Sequence, residues 1–245
     1  TGAVDSITTG DYNVGVGDGA LTANTTGYQN TATGYQALYA NTTGVRNTAS
    51  GYQALKANTT GNYNTVSGMQ ALYANTTASY NTASGYQALY YNTTGSSNTA
   101  SGYTALFSNT TGVDNVAVGY RALKSTGGGV DGSYNTAVGT SALEANTEGT
   151  FNVAMGRRAL YFNTTGDYNT GIGYLALAAV SSGTYNIGIG FEAGCGVTGA
   201  SETINIGCGM NNTTAQTTCI GGLCVMGAQF TATSDCRSKK NIKDL

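Results

Sequence analysis

The residues able to do chemistry are unevenly spread along this chain. Histidine is absent, so proton transfer near neutral pH would fall to carboxylates, thiols or lysines. The carboxylates Glu144, Glu148, Asp167, Glu192 and Glu202 share no repeated spacing that would make an acid–base pair, and no GxSxG elbow is present. The run Gly127 to Gly129 lacks the Lys and Ser or Thr that end a phosphate loop and reads as an insertion. Five cysteines, Cys195, Cys208, Cys219, Cys224 and Cys236, cluster toward the C-terminus without a CxxC pair. Small buried thiols are the expectation for them, with disulfides as the alternative. No metal and no cofactor is expected, and a calcium-binding roll is disfavoured because the 12 acidic residues form no ladder.

Tyrosine, asparagine and threonine, by contrast, recur at fixed intervals. Tyr35, Tyr52, Tyr86, Tyr103, Tyr120 and Tyr174 each follow a glycine, while Tyr39, Tyr73, Tyr90 and Tyr161 recur on another turn. An exposed row of Tyr35, Tyr52, Tyr86, Tyr103 and Tyr120 could stack on sugar rings. The competing reading is that the rings fill grooves between coils or subunits. Asn-Thr-Thr begins at Asn24, Asn41, Asn58, Asn75, Asn92, Asn109 and Asn163. Each is formally an N-glycosylation acceptor, but Asn and Thr also cap turns, and Gly44, Gly61 or Gly95 then supplies the reversal, so the turn reading is preferred. Regular Thr arrays also occur in ice-binding proteins, whose flat plane must stay exposed; burial in an oligomer would remove it.

These intervals come from an internal repeat that sets the architecture. One Asn recurs every 17 residues from Asn13 through Asn30, Asn47, Asn64, Asn81 and Asn98 to Asn115. It continues at Asn135, Asn152, Asn169, Asn186 and Asn205, with insertions expected after the seventh and eleventh units. The best units read "NTASGYQALYYNTTGSS" (Asn81 to Ser97). Residues are numbered below by their distance from this anchor. A small residue at +2 between β-branched neighbours, then Gly at +4 (Gly17 to Gly209), is the period-two pattern of a short strand closed by a reversal. The period leaves room for two short strands and two turns, too little to bury an apolar face alone, so the units must stack. An all-β parallel β-solenoid of twelve coils follows, a rod of roughly 55–60 Å at the usual strand spacing. Leu21, Leu38, Leu55, Leu72, Leu89, Leu106, Leu123, Leu143, Leu160 and Leu177 at +8 form an apolar stripe. A thin single coil is expected to leave that stripe partly wet, which argues for oligomeric burial.

Composition narrows the partners. Charged residues make up 9% of the 245, and the formal net charge is −2. No electrostatic case for nucleic acid or an anionic membrane exists, and no apolar run reaches the roughly 18–20 residues of a membrane span. The chain starts at Thr1 without an initiator Met or a secretory leader, so a fragment or processed product is expected.

The variants "NVAVGYRAL" (Asn115 to Leu123), "NVAMGRRAL" (Asn152 to Leu160) and "NTGIGYLAL" (Asn169 to Leu177) resemble the repeat of trimeric autotransporter adhesin heads. The resemblance covers about Asn13 to Met210, though this unit is a few residues longer than the usual adhesin unit. It implies a left-handed β-roll with three chains around one axis, hence a homotrimer. Residues 1–12 then form an entry segment, 13–204 the β-roll, and 205–233 divergent terminal coils.

Residues 234–245 carry a second resemblance. In "SDCRSKKNI", Ser234, Asp235, Arg237, Lys239, Asn241 and Ile242 match the opening motif of the endosialidase-type intramolecular chaperone found at the end of many phage tail fibres. That family implies self-cleavage before Ser234, with Ser234 as nucleophile and Lys239 as its activating base. A lysine deprotonated by burial can serve a serine without histidine. Together the two resemblances imply a structural segment of a phage-type tail fibre or related surface appendage. It would be located on a virion tail or an extracellular surface and would meet a cell-surface glycan or protein receptor. A bacterial trimeric adhesin head is the alternative, and a glycan depolymerase the third reading.

Overall fold

A computed structural model describes residues 9–125, 132–211, 213–221 and 223–226, the last four by backbone only. Its strands form one sheet in chain order. They are β1 (Val14–Val16), β2 (Thr31–Thr33), β3 (Thr48–Ser50), β4 (Thr65–Ser67), β5 (Thr82–Ser84), β6 (Thr99–Ser101), β7 (Val116–Val118), β8 (Thr136–Val138), β9 (Val153–Met155), β10 (Thr170–Ile172), β11 (Ile187–Ile189), β12 (Ile204–Ile206), β13 (Thr217–Ile220) and β14 (Leu223–Met226). From β1 to β13 every pairing is parallel and residue for residue, as in Ala32↔Ala49. β14 turns back antiparallel on β13 and closes the series. The chain is a β-solenoid, and among the described residues no helix is long and apolar enough to cross a membrane.

Each coil holds one three-residue strand, not the expected two. The opposite wall also ladders, for example Leu38 N–H to the Ala54 carbonyl at 3.0 Å and Ala40 N–H to that of Lys56 at 3.0 Å. It is not strand because alternate residues adopt left-handed backbone: Gln36 has φ 51° and Leu38 φ 49°. A third left-handed residue precedes each anchor, as at Gln29 with φ 56°. Each such non-glycine conformation costs about 1–2 kcal/mol, offset by neighbours that bond the same backbone groups coil after coil. After the strand, position +4 requires glycine twice over: Gly51 has φ +138°, and a Cβ there would lie 2.5 Å from the Gly68 carbonyl oxygen of the next coil.

The register also corrects the last unit. Ile187 pairs with Ile204 and Gly188 with Asn205, so the twelfth anchor is Thr203, and Asn205 occupies the inward +2 position. Gly207, with φ 130°, is its reversal, and no insertion follows the eleventh unit.

The leucines overturn the argument for oligomeric burial. All ten +8 leucines are 0% exposed within one chain, facing the small +2 residues across a thin lumen. Leu160 and Leu177 lean into the space beside Gly171 and Gly188 of the following coils, where a Cβ would meet them at 3.2 and 2.6 Å. The opposite wall of the same coil thus explains the small residues at +2.

The rest of the interior is polar and, with few exceptions, satisfied. The Gly44 carbonyl accepts from Asn30 Nδ2 at 2.8 Å and from Asn41 Nδ2 at 3.0 Å. Asn30 Oδ1 in turn accepts the Asn47 backbone N–H at 2.9 Å, and Asn24 Oδ1 accepts from Asn41 Nδ2 at 2.7 Å. Two buried Asn columns, at 0 and +11, thus meet on one glycine carbonyl and tie each coil to the next. At the C-terminal end Val180 and Val197 replace Asn at +11, and Asn163 Oδ1, facing Val180, is left without a partner. Asn64→Ala removes the acceptor of the Asn81 N–H and the donor to Ala78; it is expected to lower stability by about 2–4 kcal/mol in chemical denaturation. The exposed Thr60→Ala should change it by less than about 0.5 kcal/mol.

Candidate functional site

The turn after each strand carries positions +5, +6 and +9 on one edge. At +5 the predicted tyrosines form three stacks: Tyr35 on Tyr52 at 5.3 Å, Tyr86, Tyr103 and Tyr120 at 5.1 and 5.3 Å, and Tyr174 on Phe191 at 5.2 Å. Met69 separates the first two. Stacking turns the ring faces toward one another along the rod. A sugar needs about 3.5–4.0 Å to each ring it touches, so none fits between rings at this spacing. The rows offer outward their edges and phenol hydroxyls, and of the first two stacks only the end rings, Tyr35, Tyr52, Tyr86 and Tyr120, lack a stacked ring on one face.

Of the second row, Tyr73 and Tyr90 stack at 5.1 Å and Phe107 continues the stack at 5.4 Å, with Tyr91 edge-on to Tyr90 and Phe107. Lys56 and Lys124 lie over its two ends, 5.6 Å from the Tyr73 centroid and 5.9 Å from that of Phe107. Burial raises the Tyr90 phenol pKa above its ordinary value, and the neighbouring Tyr73, Tyr91 and Tyr86 add to the shift. Tyr161 instead packs edge-on against Phe162 beneath Arg158.

A third row, at −1, was missed. Tyr134, Phe151, Tyr168 and Tyr185 stack in one column at 4.7, 5.0 and 4.9 Å, and Tyr63 stacks on Tyr80. Gln29, Arg46, Ser97 and Asp114 interrupt the same position. Reading the residue before every anchor as its own column would have found it.

The Asn-Thr-Thr asparagines are fully buried. Asn41, Asn58 and Asn92 each donate Nδ2 to an Asn Oδ1 of the preceding coil and to a glycine carbonyl of their own. A glycan on Nδ2 is incompatible with this fold, and the turn reading stands. The cysteines correct the buried-thiol expectation. Cys219 is buried but disulfide-bonded, while Cys195 is free and half-buried and Cys208 free and exposed. The Cys219 backbone faces that of Cys224 across the terminal antiparallel pair; Cys236 lies outside the described residues.

Ser234 and Lys239, the predicted self-cleavage pair, also lie outside the described residues. Among those residues, no group of three or more Cys, Asp or Glu gathers as for a metal ion. Comparison with protein-family models, with curated proteins and with solved structures finds no match to this chain.

Proposed function

We infer that the chain is a structural fibre segment of a phage-type tail fibre or related surface appendage, displaying a repetitive surface for cell attachment. The observation that carries this reading is the unbroken register from β1 to β13. One residue pattern stacked coil on coil makes a rod of about 60 Å, whose side-chain columns are presented at a constant interval. That is the geometry of a spacer and a display surface, and the virion or extracellular location belongs to the same proposal.

Assembly as a homotrimer rests on other residues than the leucines. Outward positions +1 and +3 are Thr and Ser from β2 to β6, but from β7 onward the +3 column becomes Val118, Val138, Met155, Ile172, Ile189, Ile206 and Ile220. Val118, Met155, Ile172, Ile189 and Ile220 are exposed in the single chain. Covering apolar surface is favourable by roughly 25 cal/mol per Å², and copies related by closed symmetry can bring the same columns together. The likeness of "NVAVG" and "NVAMG" to adhesin heads supports the same arrangement. Native mass spectrometry is expected to give three times the chain mass, and Met155→Asp combined with Ile172→Asp to give the monomer; a monomeric wild type contradicts the trimer.

Release of a C-terminal chaperone by cleavage before Ser234 completes the proposal and rests on the Ser234 to Ile242 motif alone. In the intact protein, wild type should yield a product ending at Thr233 while Ser234→Ala should not. Identical full-length masses for the two rule cleavage out.

A further inference from the structure

The cations of this sparsely charged rod are collected on one edge. Of the six basic residues in the described chain, Lys56, Arg121, Lys124, Arg157 and Arg158 stand at +5, +6 or +9, and Arg46 alone stands at −1. Side chains at +6 and +9 are neighbours: Arg121 pairs with Glu144 of the next coil at 2.8 Å, and the Arg158 guanidinium lies 5.1 Å from the Tyr161 ring centroid. From the third coil to the ninth, Glu144 is the one carboxylate on that edge among the described residues, and it is buried against Arg121. Asp114, Glu148 and Asp167 of the same stretch stand at −1, +13 and +15, before the strand and at its other end. Over these seven coils, five cations less one carboxylate leave +4 on this edge of a chain whose formal net charge is −2, while Asp18 of the first coil and Glu192 of the eleventh stand on it outside that stretch.

Lys56, Lys124, Arg157 and Arg158 rest on rings instead of carboxylates. Arg157 lies 5.6 Å from the Tyr174 centroid and donates to its hydroxyl at 3.3 Å, and the two lysines cap the Tyr73–Tyr90–Phe107 stack. A cation held on a ring face is positioned and keeps its remaining N–H donors for an anion. Around the cations run phenol edges and the Gln36–Gln53–Gln70–Gln87 amide ladder at +6, linked at 3.0 Å.

We propose that this edge binds a linear anionic polysaccharide lying along the rod, its acid groups on Lys56, Lys124, Arg157 and Arg158 and its hydroxyls on the phenol and glutamine rows. The inference deepens the attachment reading and rests on it for its biological setting. Charge density selects the partner class. At about 4.8 Å per coil, the cations fall at intervals of about 10 and 19 Å. Those intervals match an anion carried on only some sugar residues, not nucleic-acid phosphates about 3.4 Å apart on each strand.

The test is binding of the full chain at low salt to hyaluronan (a carboxylate on every second sugar), chondroitin sulfate (a sulfate as well as that carboxylate), neutral dextran and duplex DNA. At least one acidic polysaccharide should bind and dextran should not. Added salt should weaken the binding. The combined variant Lys56→Gln, Lys124→Gln, Arg157→Gln and Arg158→Gln should lose at least tenfold in affinity, while Arg46→Gln, at the other end of the strand, should bind like wild type. Preference for hyaluronan or for chondroitin sulfate identifies the acid group. Failure of both to bind, unchanged affinity in the combined variant, or equal binding of duplex DNA overturns the proposal. A trimer that binds neither polysaccharide rejects this edge and leaves the fibre reading standing; a monomer that binds one rejects the trimer and leaves the edge standing.

Discussion

The structure depends on a shared acceptor, the position +14 carbonyl on which two buried asparagine columns converge. A coil of 17 residues has too little volume for an apolar core that could also fix its register. Leucine fills one side of the lumen, but an aliphatic column alone tolerates sliding. The asparagines do not, because their amides are desolvated and meet their partners in one register only. A shift by one residue would leave a row of buried amides unpaired, at about 1–3 kcal/mol for each group.

That constraint leaves the outside free to vary. With the interior settled by Asn, Leu, Ala and Gly, outward columns can change along the rod without disturbing it. Position +3 runs from Ser to Ile, position +5 from Tyr to Arg, and position +9 from Tyr to Lys and Glu. The aromatic stacks follow from the same geometry: a ring repeated at coil spacing must lie parallel to its neighbour, which explains interplanar angles of 1–4° in the Tyr134–Phe151–Tyr168–Tyr185 column. Stacked rings stabilise the edge and carry the cations laid upon them, of which Arg157 and Arg158 are exposed and Lys56 and Lys124 half-buried.

Much of the fold was legible because the period is long, regular and carried by residues with definite roles. The anchor asparagines, the +4 glycines and the small +2 residues identified a stacked parallel strand. What could not be read was the backbone of the opposite wall. Leucine and glutamine in left-handed conformation contradict their intrinsic preferences, and only pairing with the coils above and below makes that wall stable. The same gap led to the expectation of wet leucines, since a coil folded through left-handed turns closes more tightly than two strands would. At the twelfth coil the most conspicuous residue misled: Asn205 is an asparagine inside the lumen, while Thr203 takes the anchor's place, its N–H and hydroxyl both donating to Asn186 Oδ1. For the candidate site, the tyrosine rows were legible as repeats. The orientation of the rings and the gathering of the cations required the coil's shape.

Amide hydrogen exchange along the anchor column tests the central claim most directly. The backbone N–H groups of Asn47, Asn64, Asn81 and Asn98 donate to the side chain of the preceding anchor, so they should exchange only through unfolding of the whole stack and share one slow rate. The outermost coils should exchange faster. Exchange at these central anchors as fast as at unstructured amides would contradict an asparagine ladder that holds the coils in register.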